Sequence, residues 1–384
     1  MAERSEITAV AVGAALGAAA VVLWKRLSAP RRAVPMAGVT PAKVSEPRSA
    51  PAEPPPQASA APPTPRAGTA ALPAVLVTGA GRPAGVCVIR ALKAAGARVV
   101  AADSDETAVG LQLADAGGTI PTADEHDFVA ALCELAAAHG AQTIVSTVAE
   151  DVPALAKGSA AFAVAGLASW LPNPAAVRTC LDKWTFAQAV AAAKIPHPPT
   201  NLGRANGVGG PWIVKSRFGG GANDVHTVDD PAELPWAIAH TPHALVQTRV
   251  DGLEFAIDAL VDRGGELVGA VPRWRLEKER GVSTKGRTFE DRELVAQAQH
   301  LVSALGLEGP VSIRGFMLSS NGLYCFTHVN PSFSGGLSLS LAAGADLVGE
   351  YVRGIVGLPL RRERLAYEPG VTTERFYDEV VITA

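Results

Sequence analysis

Ala74-Val-Leu-Val-Thr78 is a short apolar run that breaks into Gly79-Ala-Gly-Arg-Pro-Ala-Gly85 and passes into a helical apolar pattern through Val86, Ile89, Leu92 and Ala95. A second apolar run over 98–102 ends at Asp103, and a helical stretch over 128–139 leads to a further apolar run over 143–146. Strands that alternate with helices in this way predict a parallel, doubly wound sheet. The glycines admit two readings. A tight turn from strand to helix needs residues without Cβ for steric reasons. The same turn, with a carboxylate at Asp103 after the second strand, is also the arrangement that holds a dinucleotide. No Tyr-x-x-x-Lys pair accompanies it.

Upstream lies a different kind of chain. Residues 7–24 carry no charge and are long enough to span a hydrocarbon core of about 30 Å as one helix. Lys25, Arg26, Arg31 and Arg32 all follow the run, so the positive-inside rule places the folded body in the cytoplasm. Residues 1–27 are therefore expected to be a single transmembrane anchor. Gly13 and Gly17 have a spacing through which two such helices can approach, making a homodimer a candidate arrangement. Residues 28–72 are rich in Pro, Ala and Ser and poor in large apolar groups, the composition of a disordered, partly extended tether. The formal charge of −3, with both signs distributed along the chain, argues against a nucleic-acid partner. Four widely separated cysteines form no C-x-x-C pair and read as reduced thiols.

Beyond residue 180 the order of motifs is specific. Leu181-Asp-Lys-Trp-Thr-Phe precedes Lys194-Ile-Pro-His-Pro-Pro-Thr; Trp212-Ile-Val-Lys-Ser-Arg-Phe-Gly-Gly-Gly follows, then Leu245-Val-Gln-Thr-Arg-Val-Asp-Gly-Leu-Glu254, Val271-Pro-Arg-Trp-Arg and Phe326-Thr-His-Val-Asn-Pro. From about residue 75 to 358 this order resembles the ATP-grasp superfamily, most closely the branch like the carbamoyl-phosphate synthase large subunit. The resemblance implies an α/β fold with a Rossmann-like domain ahead of a two-lobed ATP-grasp domain. It implies nucleotide phosphates at Lys183 and Lys215, which would clamp a polyanion from opposed lobes. It also implies a closing flap at Gly219, Gly220 and Gly221, adenine at the main chain around Val246, ribose or triphosphate at Gln247 and Glu254, and Arg273 at a γ-phosphate or acyl phosphate.

At one point the sequence departs from the family pattern. The family's Glu-x-Asn-Pro-Arg run, whose Glu and Asn hold magnesium, corresponds here to His328, Asn330 and Ser332, and Arg314 stands at the position of a second metal-binding residue. Magnesium takes hard oxygen donors, usually with one or two carboxylates, and arginine cannot coordinate a cation. At an effective dielectric of 20, a unit charge 4 Å from another contributes about 4 kcal/mol, and a divalent ion about twice that. The expected magnesium or manganese site, His328 with Asn330, is thus weak or altered. Three compensations are open: Arg314 touches the phosphates itself, Glu254 or Asp258 supplies a ligand, or His328 takes a softer ion.

The resulting expectation is a membrane-anchored, ATP-binding protein. If active, it is a carboxylate–amine ligase working through an acyl phosphate on an unknown carboxylate, with Arg273 and Arg314 at the reacting group. The alternative is a nucleotide-binding pseudoenzyme serving as scaffold or sensor. The expected domains are 73–180 (Rossmann-like), 181–360 (ATP-grasp) and 361–384, a C-terminal extension in which 361–364 and 377–384 carry no readable motif and are open to reading as an edge strand or a partner contact.

Overall fold

The structure is a computed structural model that describes residues 72–219, 225–279 and 281–382. The expected transmembrane helix, the tether up to residue 71, and Gly220 and Gly221 of the flap lie outside the described residues. Among the described residues no helix is long and apolar enough to cross a membrane.

Strands β1 (Val75–Thr78), β2 (Val99–Asp103), β3 (Ala116–Thr119), β4 (Thr143–Ser146) and β5 (Ala168–Ser169) form a parallel sheet in the order β3-β2-β1-β4-β5. β1 and β4 are buried at every position because packed side chains cover both faces, which is why they read as continuous rather than alternating apolar runs. The doubly wound expectation therefore holds. In the glycine turn, a Cβ at Gly85 would stand 2.1 Å from the Gly79 carbonyl oxygen, so the steric reading of that glycine is sufficient. Asp103 is engaged by the same turn: Gly81 N–H donates to its Oδ2 at 2.8 Å and Asp105 N–H to its Oδ1 at 3.1 Å. With its carboxylate holding the loop, the dinucleotide reading loses its free acidic partner.

Two antiparallel lobes follow. The smaller contains β6 (Thr200–Leu202), β7 (Trp212–Ser216), β8 (Val225–Val228) and β9 (Ala244–Thr248), in the order β6-β9-β7-β8. The larger contains β10 (Gly252–Val261), β11 (Leu267–Glu279), β12 (Val282–Thr288), β13 (Gly309–Leu318), β14 (Tyr324–Asn330) and β15 (Thr372–Glu374), in the order β14-β13-β10-β11-β12-β15. In the C-terminal extension Thr372–Glu374 forms the edge strand β15 against β12, while Arg362–Arg364 forms a short 3-10 helix rather than a strand.

Period-two alternation divides the larger sheet. Phe255, Ile257 and Ala259 of β10 meet Ile313 and Val311 of β13 in an apolar core. That core is closed by helix Arg292–Leu305, whose buried residues are Leu294, Ala298, Leu301, Val302 and Leu305. Asp291 caps the start of this helix by accepting from Leu294 N–H, and Gly306, at φ +64°, ends it in the left-handed conformation. The intervening residues Glu254 and Asp258 take the opposite face.

Helix Leu347–Ile355 joins the larger lobe to the first sheet. Its Leu347, Val348, Tyr351 and Val352 share one core with Val75, Val77, Val99 and Val145 of the parallel sheet and with Leu260 and Val271 of the antiparallel one. Tyr351 is 2% exposed, tilts against Trp170 with ring centroids 5.3 Å apart, and donates its hydroxyl proton to the Trp170 carbonyl. The two sheets thus bury apolar surface jointly. Truncating Tyr351 to Ala is expected to destabilise the chain by about 3 kcal/mol or more, the range for large aromatic truncations in cores. Equilibrium urea unfolding of Tyr351→Ala beside the parent checks this.

Candidate functional site

Lys183 is the first residue of helix Lys183–Ala192, and Asp182 caps that helix. The Asp182 Oδ1 accepts from the amides of Trp184 and Thr185 at 3.0 and 3.3 Å, and Oδ2 accepts from the Thr185 hydroxyl at 2.7 Å. Arg217 adds a two-pronged ion pair, Nε to Oδ1 at 2.8 Å and Nη2 to Oδ2 at 2.6 Å. Burial alone would raise the Asp182 carboxyl, but these donors bring it down to about 2. The pair ties the helix to the segment after β7, where the Lys183 ammonium donates to the Gly219 carbonyl at 2.7 Å. Gly219 has φ +79°, a conformation that favours glycine.

Lys215, on β7, donates to Gln247 Oε1 at 2.8 Å; Gln247 Nε2 donates to the Thr200 hydroxyl at 2.9 Å, which donates to the Pro198 carbonyl at 2.9 Å. Gln247 therefore positions Lys215, and both its amide atoms have partners within the lobe. Burial, aided by the charge of Lys183, pushes the Lys215 ammonium down to about 8. Lys183 is lowered in the same direction by burial, against the raising effect of Asp182 and Glu150. Val246 lies in mid-strand between Val214 of β7 and Asn201 of β6, with its side chain fully buried. Its main chain is taken up by the sheet ladder, against the expectation of a free backbone edge at this position.

The polar face of the larger sheet holds the other expected residues. In register, His328 opposes Arg314, Arg314 opposes Ala256, and Ala256 opposes Arg273; two residues along, Asn330 opposes Ser312 and Ser312 opposes Asp258. Arg273 and Asp258, 3% and 2% exposed, form an ion pair with Nε to Oδ2 at 2.9 Å and Nη2 to Oδ1 at 3.2 Å. Ser334 and Ser340 donate their hydroxyls to Asp258, each at 2.6 Å. Burial opposes ionisation of Asp258, yet Arg273 and these hydroxyls hold its carboxyl below the usual range. Glu254 is likewise paired, with Arg275 and Lys278. Ser334 and Ser340 were missed by sequence reasoning. Their only signal was a serine-rich stretch after Asn330-Pro, and nothing local in it names Asp258.

His328 is the meeting point of the two lobes' cations. Burial, then the charges of Arg314, Lys215, Lys183 and Arg275, push it far down to about 3, so it is neutral. Arg314 is itself lowered to about 10, by burial and then by Arg275 and Arg273. The structure thus brings Lys183, Lys215, Arg314 and His328 together and commits Arg273 and Glu254 to ion pairs.

The donors on this face do not fit a magnesium ion. Among the described residues no group of three or more His, Cys, Asp or Glu side chains is placed to hold a metal. The carboxylates that could have compensated, Glu254 and Asp258, are bound to arginines, and His328 and Asn330 lie beside Arg314 rather than beside a free acid. A separate cavity of about 760 Å³ opens at the carboxyl ends of the parallel strands, lined in part by Arg82, Asp103, Asp124, Glu150, Asp151 and Lys157. Burial raises the Asp151 carboxyl there to about 6.

The chain is a parallel-sheet domain followed by two antiparallel lobes, with Lys215 of the smaller and Arg314 of the larger both acting on His328. Residues 240–375 match the family model described as ATP-grasp in the biosynthetic pathway with Ter operon, and residues 75–169 match the PylC-like N-terminal domain. The chain therefore carries an ATP-grasp domain, as its motifs led us to expect. No curated protein matches the sequence. Among solved structures, the ADP complex of N5-carboxyaminoimidazole synthetase from Staphylococcus aureus is 14% identical with a TM-score of 0.62, covering 75% of this chain and 78% of its own. The L-amino acid ligase from Bacillus licheniformis is 15% identical with a TM-score of 0.60, covering 79% of each chain. The biotin carboxylase domain dimer of 2-oxoglutarate carboxylase from Hydrogenobacter thermophilus, in complex with MgADP, ADP and bicarbonate, is 19% identical with a TM-score of 0.61, covering 78% and 73%. At these identities the likeness concerns the fold.

The Asp182 carboxylate titrates from 3.8 when unfolded to about 2 when folded, so its stabilising effect is present above pH 4 and lost as pH falls through 2. Asp182→Asn, which keeps a capping side chain but removes the charge, is expected to lower stability at pH 7 by about 2 kcal/mol, the linkage worth of that shift. Thermal melts should show the difference from the parent shrinking steadily between pH 4 and pH 2.

Proposed function

We propose that this chain binds ATP between the β6–β9 lobe and the charged face of β10, β11, β13 and β14, and uses it to activate a carboxylate. In the proposed reaction a carboxylate oxygen attacks the γ-phosphorus and ADP leaves. An amine or related nucleophile then attacks the acyl carbon of the acyl phosphate, and inorganic phosphate departs. The observation that supports this most directly is the convergence of Lys183, Lys215 and Arg314 on one basin, in a chain whose residues 240–375 match an ATP-grasp model. Lys183 and Lys215 hold the phosphates and Arg314 meets the transferred phosphoryl group, stabilising charge as it develops. Arg273, held by Asp258 and Ser334, fixes the shape of the face. Magnesium does not fit the donors present, and no step is assigned to it.

A second reading, a nucleotide-binding scaffold or sensor without turnover, is favoured by one observation: both carboxylates of the site are sequestered in ion pairs. The two readings part on phosphate release. Full-length chain given ATP, magnesium or manganese, and mixtures of carboxylates and amines releases inorganic phosphate in the first and only binds in the second.

Lys183→Ala and Lys215→Ala are each expected to weaken ATP binding about 10-fold or more, the worth of a hydrogen bond to a charged group. Affinity should also fall as pH rises through about 8, where the Lys215 ammonium loses its proton. Lys215→Ala should flatten that pH dependence. Calorimetric titration across pH 7 to 9 checks both.

The proposal extends to the apolar run over residues 7–24, which would tether the folded body to the inner face of a membrane, with the Pro-rich segment as spacer. The full chain is expected to sediment with membranes and resist alkaline carbonate extraction. A chain starting at residue 73 is expected to stay in the supernatant, and equal partition of the two would remove the tether from the reading.

A further inference from the structure

Resting on the nucleotide reading above, we infer that this cleft holds the polyphosphate with protein cations alone, preferring nucleotide free of divalent metal, with Arg314 as the principal phosphate-binding residue. The inference begins with charge. Each carboxylate on the polar face is already compensated: Asp258 by Arg273, and Glu254 by Arg275 and Lys278. Arg314 is the exception. It sits among Arg273, Arg275 and His328, and among the described residues its guanidinium has no hydrogen bond or ion pair. The charges of Glu254 and Asp258 reach Arg314, but both carboxylates are bound to other cations, so its guanidinium is left to meet an anion from outside the sheet. Lys215 from β7 of the smaller lobe and Lys183 from the start of the helix Lys183–Ala192 are both close enough to act on His328.

A second feature of the same face also lacks an internal partner. The Ser312 hydroxyl is buried and makes no hydrogen bond among the described residues, and in register it lies between Asp258 and Asn330. Buried hydroxyls are normally satisfied, so an orphan beside an uncompensated arginine is consistent with an oxygen-rich ligand completing the site. A divalent ion brought in with the nucleotide would meet Arg314 in place of an oxygen cage, because magnesium needs several hard oxygen donors and His328 and Asn330 provide at most one hard oxygen between them. Metal-free ATP also carries more negative charge than its magnesium complex, which suits a basin in which cations are in excess.

The test uses the full chain and ATP itself, titrated calorimetrically in EDTA and again in excess magnesium. The expected result is binding in EDTA at least as tight as in magnesium, with Arg314→Gln weakening ATP binding in EDTA about 10-fold or more while leaving AMP binding unchanged. Arg314→Lys, which keeps the charge, should recover part of the loss. ATP binding that tightens about 10-fold on adding magnesium or manganese overturns the inference and leaves the nucleotide reading standing. So does an Arg314→Gln variant that binds ATP in EDTA like the parent. Absence of ATP binding under every condition overturns the nucleotide reading, and this inference with it. Since the comparison of EDTA with magnesium needs only the parent protein, a variant that fails to fold does not remove the test.

Discussion

The Asp258–Arg273 ion pair underlies the organisation of this molecule. Charges as buried as these cost several kcal/mol each to desolvate, and their mutual attraction offsets that cost only when the remaining hydrogen-bond positions are filled. Here they are filled by Ser334 and Ser340, which reach Asp258 from the loop after β14 and from the helix Leu337–Ala342. The same pair therefore folds the chain beyond Asn330 back over the sheet. Gly336 is forced small by this arrangement, since a Cβ there would lie 2.4 Å from Arg273 Nη2. The helix Leu347–Ile355 that follows closes the core shared with the parallel sheet. One electrostatic pair thus couples the charged face to the packing of the first domain.

The pair also sets what the face can do. Once Asp258 and Glu254 are committed to arginines, the described carboxylates on that side of the sheet offer no cage for a hard cation, while Arg314 makes no ion pair of its own among the described residues. On the smaller lobe Lys215 is steered by Gln247 and Thr200, and at the start of its helix Lys183 is anchored through Asp182 and Arg217. These supports hold the lysines by uncharged or already neutralised groups, so their charge is not cancelled before a ligand arrives. The lowered pKa of Lys215 follows first from burial and then from the neighbouring Lys183 ammonium.

Much of the fold was readable from local pattern. The parallel sheet was legible because β1, β2 and β4 are unbroken apolar runs separated by helical periodicity, and the polar face of β10 because Glu254 and Asp258 are four residues apart on a strand. Lys183 and Lys215 were found through the motifs around them, and the structure brings both near His328. Other features were not legible. Arg273 has the residue type of a phosphate contact, but only the register of β10 against β11 and the return of Ser334 show that it serves Asp258. Val246 fell inside a hinge motif, and only the flanking strands β6 and β7 reveal that its backbone is occupied. The C-terminal β15 carries no motif because three residues at a sheet edge need little beyond an extended backbone.

By itself the sequence determined the order of elements, the alternation that separates a core from a charged face, and the presence of His328 and Arg314 at positions where the family resemblance leads one to expect metal ligands. These are local properties, fixed by residue type and periodicity. The tertiary structure decided which charges cancel. Glu254, Asp258, Arg273, Arg275 and Arg314 are far apart or ambiguous in sequence, and only antiparallel register, with loops folded across it, assigns partners to four of them and leaves Arg314 without one among the described residues. Coulomb interactions depend on distance and burial in space, and neither quantity is written in the spacing of residues along a chain.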